Sequence, residues 1–272
     1  MIQATISDEK KPVVWVTGSG APRVGQCIAR YFAVRGYRVA IHAHHSTDDA
    51  KIFAEELEES GTEWILLTGA IEDSKFASNA VQTILAKFGQ LDVLVNSAAV
   101  WDWKTLEETT KEDVERQFSI NTLGSFLCSQ AAGLQMIKQP MGGAIVLIGD
   151  WAVSRPYPNF SAYFAGKGAI ETLTRSLAVE LGTRNPAVRV NAILPGPVML
   201  DPSLNAATAE AIRNQALLKR HGEPKHVAEA AFFLANHEFI TGVSLPVDGG
   251  RSIYAGHSND AIAHPTHPRS NT

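Results

Sequence analysis

Cysteine is scarce: Cys27 and Cys128 are the only two in 272 residues. Two thiols make no disulfide framework, and they lack zinc-ligand spacing, so a reducing compartment is expected. No apolar run reaches 18 residues, and the polar opening 1–12 has no signal-peptide core, so no membrane partner is expected. Net positive charge is also missing. Lys plus Arg is 24 against 28 Asp plus Glu, a formal net charge of -4, which excludes a global field for nucleic acid. No repeat of 20 to 50 residues occurs, which excludes a solenoid. A soluble, cytoplasmic protein acting on a small molecule is the expectation.

What is present is apolar substance, 45% hydrophobic residues, in a chain well above the length at which a core becomes marginal. Short β-branched runs at 13–17, 39–43, 64–68, 91–96, 144–149, 190–194 and 244–247 alternate with helix-period stretches at 25–35, 49–60, 74–88, 111–138, 162–182 and 225–235. Near-continuous apolar runs suit strands buried on both faces of a parallel sheet. The alternation predicts an α/β fold: a single-domain, doubly wound Rossmann-type parallel sheet of seven strands with helices on both faces. The domain is expected over 12–254, after a flexible N-terminus at 1–11. A Pro-punctuated excursion at 196–224 has the character of a lid. The polar tail 255–272 is expected to be disordered or ordered by a partner.

Directly after the first run stands Thr17-Gly18-Ser19-Gly20-Ala21-Pro22-Arg23-Val24-Gly25, opening a helix. Glycines there permit a tight turn and close approach of a pyrophosphate to a helix N-terminus. Strand, turn and helix in that order point to dinucleotide binding by Gly18, Ser19, Gly20, Val24 and Gly25. Arg23 adds a cation, unless it is an exposed helix-start arginine. The second run ends in His44-His45-Ser46 with no acid, where a ribose-binding carboxylate would mark NAD. Histidines that donate hydrogen bonds and become positive suit the 2′-phosphate of NADP(H). The alternatives are a solvated loop or, with no carboxylate or cysteine partner in view, a His42-His44-His45 metal site. No metal is expected.

The fifth run ends at Asp150, and the following helix carries Tyr163 and Lys167 four residues apart, on one face. A free tyrosine, with a pKa of about 10, works near neutrality only beside a group that tunes it. Lys167 is such a cation, although Tyr-x-x-x-Lys alone is equally a core tyrosine with a surface lysine.

Taken together, Thr17-Gly18 to Gly25, Asn96-Ser97-Ala98-Ala99, Asn121 in Ser-Ile-Asn-Thr-Leu-Gly, Tyr163 with Lys167, Pro195-Gly196-Pro197, Ile240-Thr241-Gly242 and Asp248-Gly249-Gly250 resemble the short-chain dehydrogenases/reductases over about 11–250. The resemblance implies that Tyr163 is the proton donor, that Lys167 tunes it and binds the nicotinamide ribose, and that Asn121 holds a relay water. It further implies cofactor contacts from Asn96, Ser97, Ala98, Pro195, Gly196 and Val198, and a homotetramer. Where members often have an aspartate meeting the adenine, Ala70 stands, which leaves recognition to backbone near Ile71.

Three departures matter. Asp150 replaces the usual catalytic serine, Arg23 occupies the place of the middle glycine, and Trp101 follows the Asn96–Ala99 turn. With His44-His45-Ser46, these resemble the pteridine reductases and dihydromonapterin reductases. The chemistry agrees, since an ionised carboxylate only accepts hydrogen bonds and so suits a substrate with N–H groups, while a flat ring stacks on Trp101. Asp150 and Lys167 act oppositely on the Tyr163 phenol, and their net effect is open at this point. The expected activity is an NADP(H)-dependent reduction of a C=O or C=N bond, with Arg23, Trp101, Asp150 and Tyr163 around the substrate. The alternatives are an oxoacyl-thioester or sugar-type carbonyl reductase, and a non-catalytic NADPH sensor.

Overall fold

All seven β-branched runs form strands: β1 Val13–Thr17, β2 Arg38–Ala43, β3 Trp64–Thr68, β4 Val93–Asn96, β5 Gly143–Ile148, β6 Val188–Pro195 and β7 Ser244–Val247. The computed structural model describes residues 11–200 and 203–254, so the expectations for 1–10 and the 255–272 tail lie outside the described residues. Lys11 falls inside, and its carbonyl accepts from the Arg38 Nε at 2.9 Å, which anchors the end of the segment expected to be flexible.

Every pairing is parallel, in the order β3-β2-β1-β4-β5-β6-β7. The order reverses between β1 and β4, which opens a crevice at the carboxyl ends of the strands. The central strands β1, β2 and β4 are buried throughout. β3 and β7 depart from the expectation of two-sided burial, being partly exposed because they are the sheet's edges. An edge also explains how Pro246 is accommodated in β7.

Helices α1 (Val24–Ala33), α2 (Thr47–Glu59) and α8 (Pro224–Asn236) cover one face through Ile28, Phe32, Phe53, Val227 and Ala231. On the other face α3 (Phe76–Phe88), α5 (Ser125–Met136) and α6 (Ser161–Gly182) pack with Ile84, Met136 and Ile170. The stretch expected as one helix from 111 runs as α4 (Lys111–Gln117), a π turn at Phe118–Gly124, and α5. The π turn carries Asn121, and such turns concentrate at functional sites. α4 starts on a capping box in which the Thr110 side chain accepts from the Asp113 N–H. Within the expected lid, 206–214 forms α7 (Ala206–Asn214), capped by Asn205. No helix among the described residues is long and apolar enough to cross a membrane.

Candidate active site

The crevice is a cleft of about 1620 Å³ running from the start of α1 past β5 to α7. Its first wall is the glycine turn. Gly18 has φ +65°, and a Cβ there would stand 2.7 Å from the Ala98 Cα; at Gly25 it would stand 2.4 Å from the Gly18 carbonyl oxygen. The turn is therefore closed to side chains on two sides. α1 begins without a side-chain cap or an acidic residue in its first turn, so its unpaired N–H groups and positive end face the cleft beside Arg23, Val24 and Gly25. This cradle fits the pyrophosphate of a nicotinamide dinucleotide.

Three other residues hold the turn in place. The Thr17 Oγ1 accepts from the Ser97 and Ala98 N–H groups at 3.0 and 3.1 Å, which ties β1 to the loop after β4. The Ser19 hydroxyl donates to the Val16 carbonyl and accepts from the His42 N–H. His42 is buried, accepts from the Gly18 N–H at Nδ1 (2.9 Å) and reaches the Gly69 carbonyl from Nε2 (2.9 Å). Because a carbonyl only accepts, Nε2 carries the proton and Nδ1 is bare. Burial holds His42 down to about 4, so the imidazole is neutral. Beyond it, His44 and His45 stand exposed with ring centroids 3.7 Å apart, together with Ser46 and the carboxylate of Asp49 at the cleft wall.

At the other end Asp150, Tyr163 and Lys167 converge. The Tyr163 hydroxyl donates to the Asp150 Oδ2 at 2.7 Å, and the Asp150 Oδ1 accepts from the Ala152 N–H at 2.8 Å, which caps the short turn Trp151–Val153. The Lys167 Nζ donates to the Ile148 carbonyl at 2.7 Å. Burial pushes Tyr163 well above its ordinary value, and the Asp150 charge pushes the same way. Burial also lowers Lys167 to about 8, against the pull of Asp150. Asp150 is raised by burial, while the Tyr163 hydrogen bond, the Ala152 N–H, Lys167 and Arg251 oppose. The two opposing influences on the phenol thus resolve in favour of the neutral form.

An aromatic wall stands beside this trio. Trp101, 52% exposed, lies parallel to Phe160 with centroids 4.7 Å apart and planes 10° apart, and the Tyr157 ring stands edge-on to Phe160 at 5.3 Å. Asp102 accepts from the Arg116 guanidinium and from the Gln117 Nε2, which fixes the segment that presents Trp101. The far wall is Arg251, buried over the Trp151 ring with its guanidinium carbon 4.7 Å from the centroid.

A family profile described as enoyl-(acyl carrier protein) reductase matches residues 21–252. Elsinochrome reductase 1 of Elsinoe fawcettii is 31% identical, over 87% of this chain and 93% of its own. An NADPH-dependent aldehyde reductase-like chloroplastic protein of Arabidopsis thaliana is likewise 31% identical, over 88% and 93%. A crystal structure of a dehydrogenase/reductase from Sinorhizobium meliloti superposes with a TM-score of 0.80 at 31% identity, covering 88% of this chain and 94% of that one. The chain belongs to the short-chain dehydrogenases/reductases. It is an oxidoreductase with the nicotinamide-binding fold of that family.

Most of the residues that the family pattern singles out line this short-chain reductase's cleft: Gly18, Arg23, Val24, Gly25, His44, His45, Ser46, Ile71, Ser97, Ala98, Trp101, Asp150, Tyr163, Lys167, Pro195, Gly196 and Val198. Five do not. Ser19 and Gly20 turn toward β2, and their N–H groups are both spent on the His42 carbonyl, each at 3.0 Å. Ala70 sits behind Ile71, and Glu72 reaches the cleft instead. Asn96 is buried and donates to the Ser129 hydroxyl. Asn121 is fully buried. Its side-chain amide exchanges hydrogen bonds with both backbone groups of Val100 and donates to the Gln117 Oε1, so it braces the segment leading to Trp101. Residues missed from the sequence are Thr17, Tyr157, Gln117 and Arg251, while His42 entered only as a member of an alternative metal site. Thr17 lay inside the glycine motif, but polar residues on a buried strand carry no periodic signal; Arg251 only follows Asp248-Gly249-Gly250.

Proposed function

We propose that the protein is an NADP(H)-dependent reductase of a C=O or C=N bond in a flat conjugated ring, with a pterin-like ring as the first substrate class. The observation that carries this reading is the 2.7 Å hydrogen bond from Tyr163 to Asp150 beside the parallel Trp101–Phe160 pair. When bound, the nicotinamide cofactor supplies the hydride. Tyr163, held neutral, delivers a proton to the substrate heteroatom, and Lys167, charged near neutrality, offsets the phenolate left behind. Each Asp150 oxygen has accepted one hydrogen bond, which leaves lone pairs for a substrate N–H. The exposed face of Trp101 offers a stacking surface. Arg23, His44 and His45 favour the 2′-phosphate of NADPH. Assembly as a homotetramer belongs to the same reading, with exposed Leu123, Leu134 and Val179 as candidate contacts.

A second reading, a reductase of larger or open-chain carbonyls, is favoured by the size of the cleft, about 1620 Å³. Steady-state assays with NADPH and NADH against dihydropterins, aromatic ketones and oxoacyl thioesters separate the two. NADPH-dependent turnover of dihydropterins is expected. The Tyr163→Phe variant should retain cofactor binding and lose roughly 10²–10⁴-fold in kcat. Turnover confined to thioesters would reject the ring reading, and wild-type turnover by Tyr163→Phe would reject the proton donor.

A further inference from the structure

Arg251 is a full cation taken out of water. It is 8% exposed, and burial lowers it from its usual value to about 10. Isolated buried charges are expensive unless their donors are met, so the partners of this guanidinium show what it is for. Nη1 donates to the Ile212 carbonyl in α7 at 2.9 Å, and Nη2 donates to the Gln215 Oε1, one residue beyond that helix. The planar group lies over the Trp151 ring, in the turn that Asp150 caps. Asp248 sets the Arg251 backbone by accepting from the Gly250 N–H at 2.9 Å and from the Ser252 N–H at 2.7 Å. The Arg251 carbonyl in turn accepts from the Arg155 Nη1 at 3.1 Å.

Three chain segments that wall the substrate end of the cleft therefore meet on one side chain: the turn after β5, the α7 cover and the segment after β7. Ile212, Gln215, Trp151, Arg155 and Arg251 all line that cleft. Among the described residues a second side chain also ties the cover to the segment after β7: the Lys219 Nζ donates to the Tyr254 hydroxyl at 3.2 Å and lies over its ring. The cover's remaining anchors include the Leu218 N–H on the Gly249 carbonyl and the Gly222 N–H on the Pro197 carbonyl, both backbone bonds flanking the same place. A lysine, with one point charge, reproduces neither the two-pronged reach to α7 nor the flat seat on Trp151.

From this geometry we infer that Arg251 is a positioning residue that latches α7 over the substrate and registers that cover against the Asp150 turn. The role rests on the proposed reductase reading, because it places the substrate between α7 and Tyr163, while the cofactor cradle at the start of α1 lies outside its reach. The latch should therefore govern substrate KM and the accessibility of the cover, and leave dinucleotide affinity alone.

The test compares wild type with Arg251→Met, Arg251→Lys, Gln215→Met and the double variant Arg251→Met/Gln215→Met. Four quantities are read: NADPH Kd by fluorescence, Tm, substrate KM and kcat, and the rate of tryptic cleavage at Arg213, Lys219 and Arg220. For Arg251→Met, a rise of about tenfold in KM and in cleavage rate is expected, with NADPH Kd within about twofold. Arg251→Lys should fall between, and Gln215→Met should raise both quantities less. In the double variant the Gln215 change should add nothing to Arg251→Met, because both cut one tie. Unchanged KM and cleavage in a folded Arg251→Met protein would overturn the inference. So would parallel losses of Tm, NADPH affinity and KM, which mark a general structural role. Should Arg251→Met fail to fold, Gln215→Met decides by the same readouts. The cleavage arm needs no turnover, so failure of the ring-reductase reading, seen with Tyr163→Phe and the substrate panel, is distinguishable from failure of the latch.

Discussion

Acid should loosen the cofactor turn through one imidazole, and the size of the effect follows from where His42 sits. Its Nδ1 accepts from the Gly18 N–H and its Nε2 donates to the Gly69 carbonyl, so a second proton on the ring would set one donor against another at Gly18. Burial accordingly lowers the group from 6.5 to about 4. A histidine depressed on folding binds fewer protons in the native state, so its contribution is present above the unfolded pKa and is lost as pH falls from 6.5 toward 4. For those two values, the loss relative to pH 7 is about 2 kcal/mol at pH 5 and about 3 kcal/mol at pH 4. His42→Asn keeps an acceptor near the Nδ1 position and cannot titrate in this range. It should cost about 1–3 kcal/mol at pH 7 by leaving the Gly69 carbonyl unmet. Urea unfolding of both proteins at pH 7, 6, 5 and 4 gives the difference curve, in which every other titrating group cancels. The wild-type advantage should shrink steadily down the series, and NADPH affinity should fall with it. Parallel stability curves over that range would refute the assignment of a neutral, doubly bonded imidazole.

Two further perturbations probe the turn and the catalytic carboxylate. Gly18→Ala forces a side chain onto a φ of +65° and to within 2.7 Å of the Ala98 Cα; beyond the roughly 1–2 kcal/mol of left-handed strain, it should displace Ala98 and weaken NADPH binding more than it lowers Tm, as calorimetry and fluorescence titration would show. Asp150→Ser removes the anion that raises Tyr163, so the alkaline limb of the kcat/KM profile should move to lower pH while preference shifts from dihydropterins toward simple ketones by about tenfold; an unmoved limb and an unchanged ratio would contradict both roles of the carboxylate.

The strands were legible because a parallel sheet demands apolar, β-branched runs, and β1, β3 and β7 coincide with the runs at 13–17, 64–68 and 244–247. Less legible were the features set by three-dimensional neighbours. The π turn at Phe118–Gly124 looks like ordinary helix in one dimension, since only the packing of α6, where the Thr122 hydroxyl donates to the Gly166 carbonyl, singles it out. Ser19 and Gly20 belong to the loop by motif, yet they face β2 because one carbonyl, that of His42, takes both of their N–H groups. His42 was visible only as a member of a histidine cluster, and the two backbone partners of its ring are the residues just after β1 and β3, neither predictable from spacing. Arg251 gave no signal at all. Its partners lie 36 and 39 residues away, at the end of α7 and just beyond it.

The carboxylate at position 150 alters the task open to Tyr163. A hydroxyl in its place would bring no charge, and burial would then be the chief influence holding the phenol above its ordinary value. Burial first, and Asp150 at 2.7 Å second, push the phenol above its ordinary value, while Lys167, near 8, stays charged at pH 7. The resting trio thus sets a cation and a neutral phenol beside a buried carboxyl that accepts the phenol's hydrogen bond, so a phenolate formed here would be a strong base. Once the proton has gone to substrate, phenolate and carboxylate stand side by side, so refilling Tyr163 is strongly favoured. The Asn121 side-chain amide is committed to Val100 and Gln117, and its backbone carbonyl accepts from the Ser125 hydroxyl.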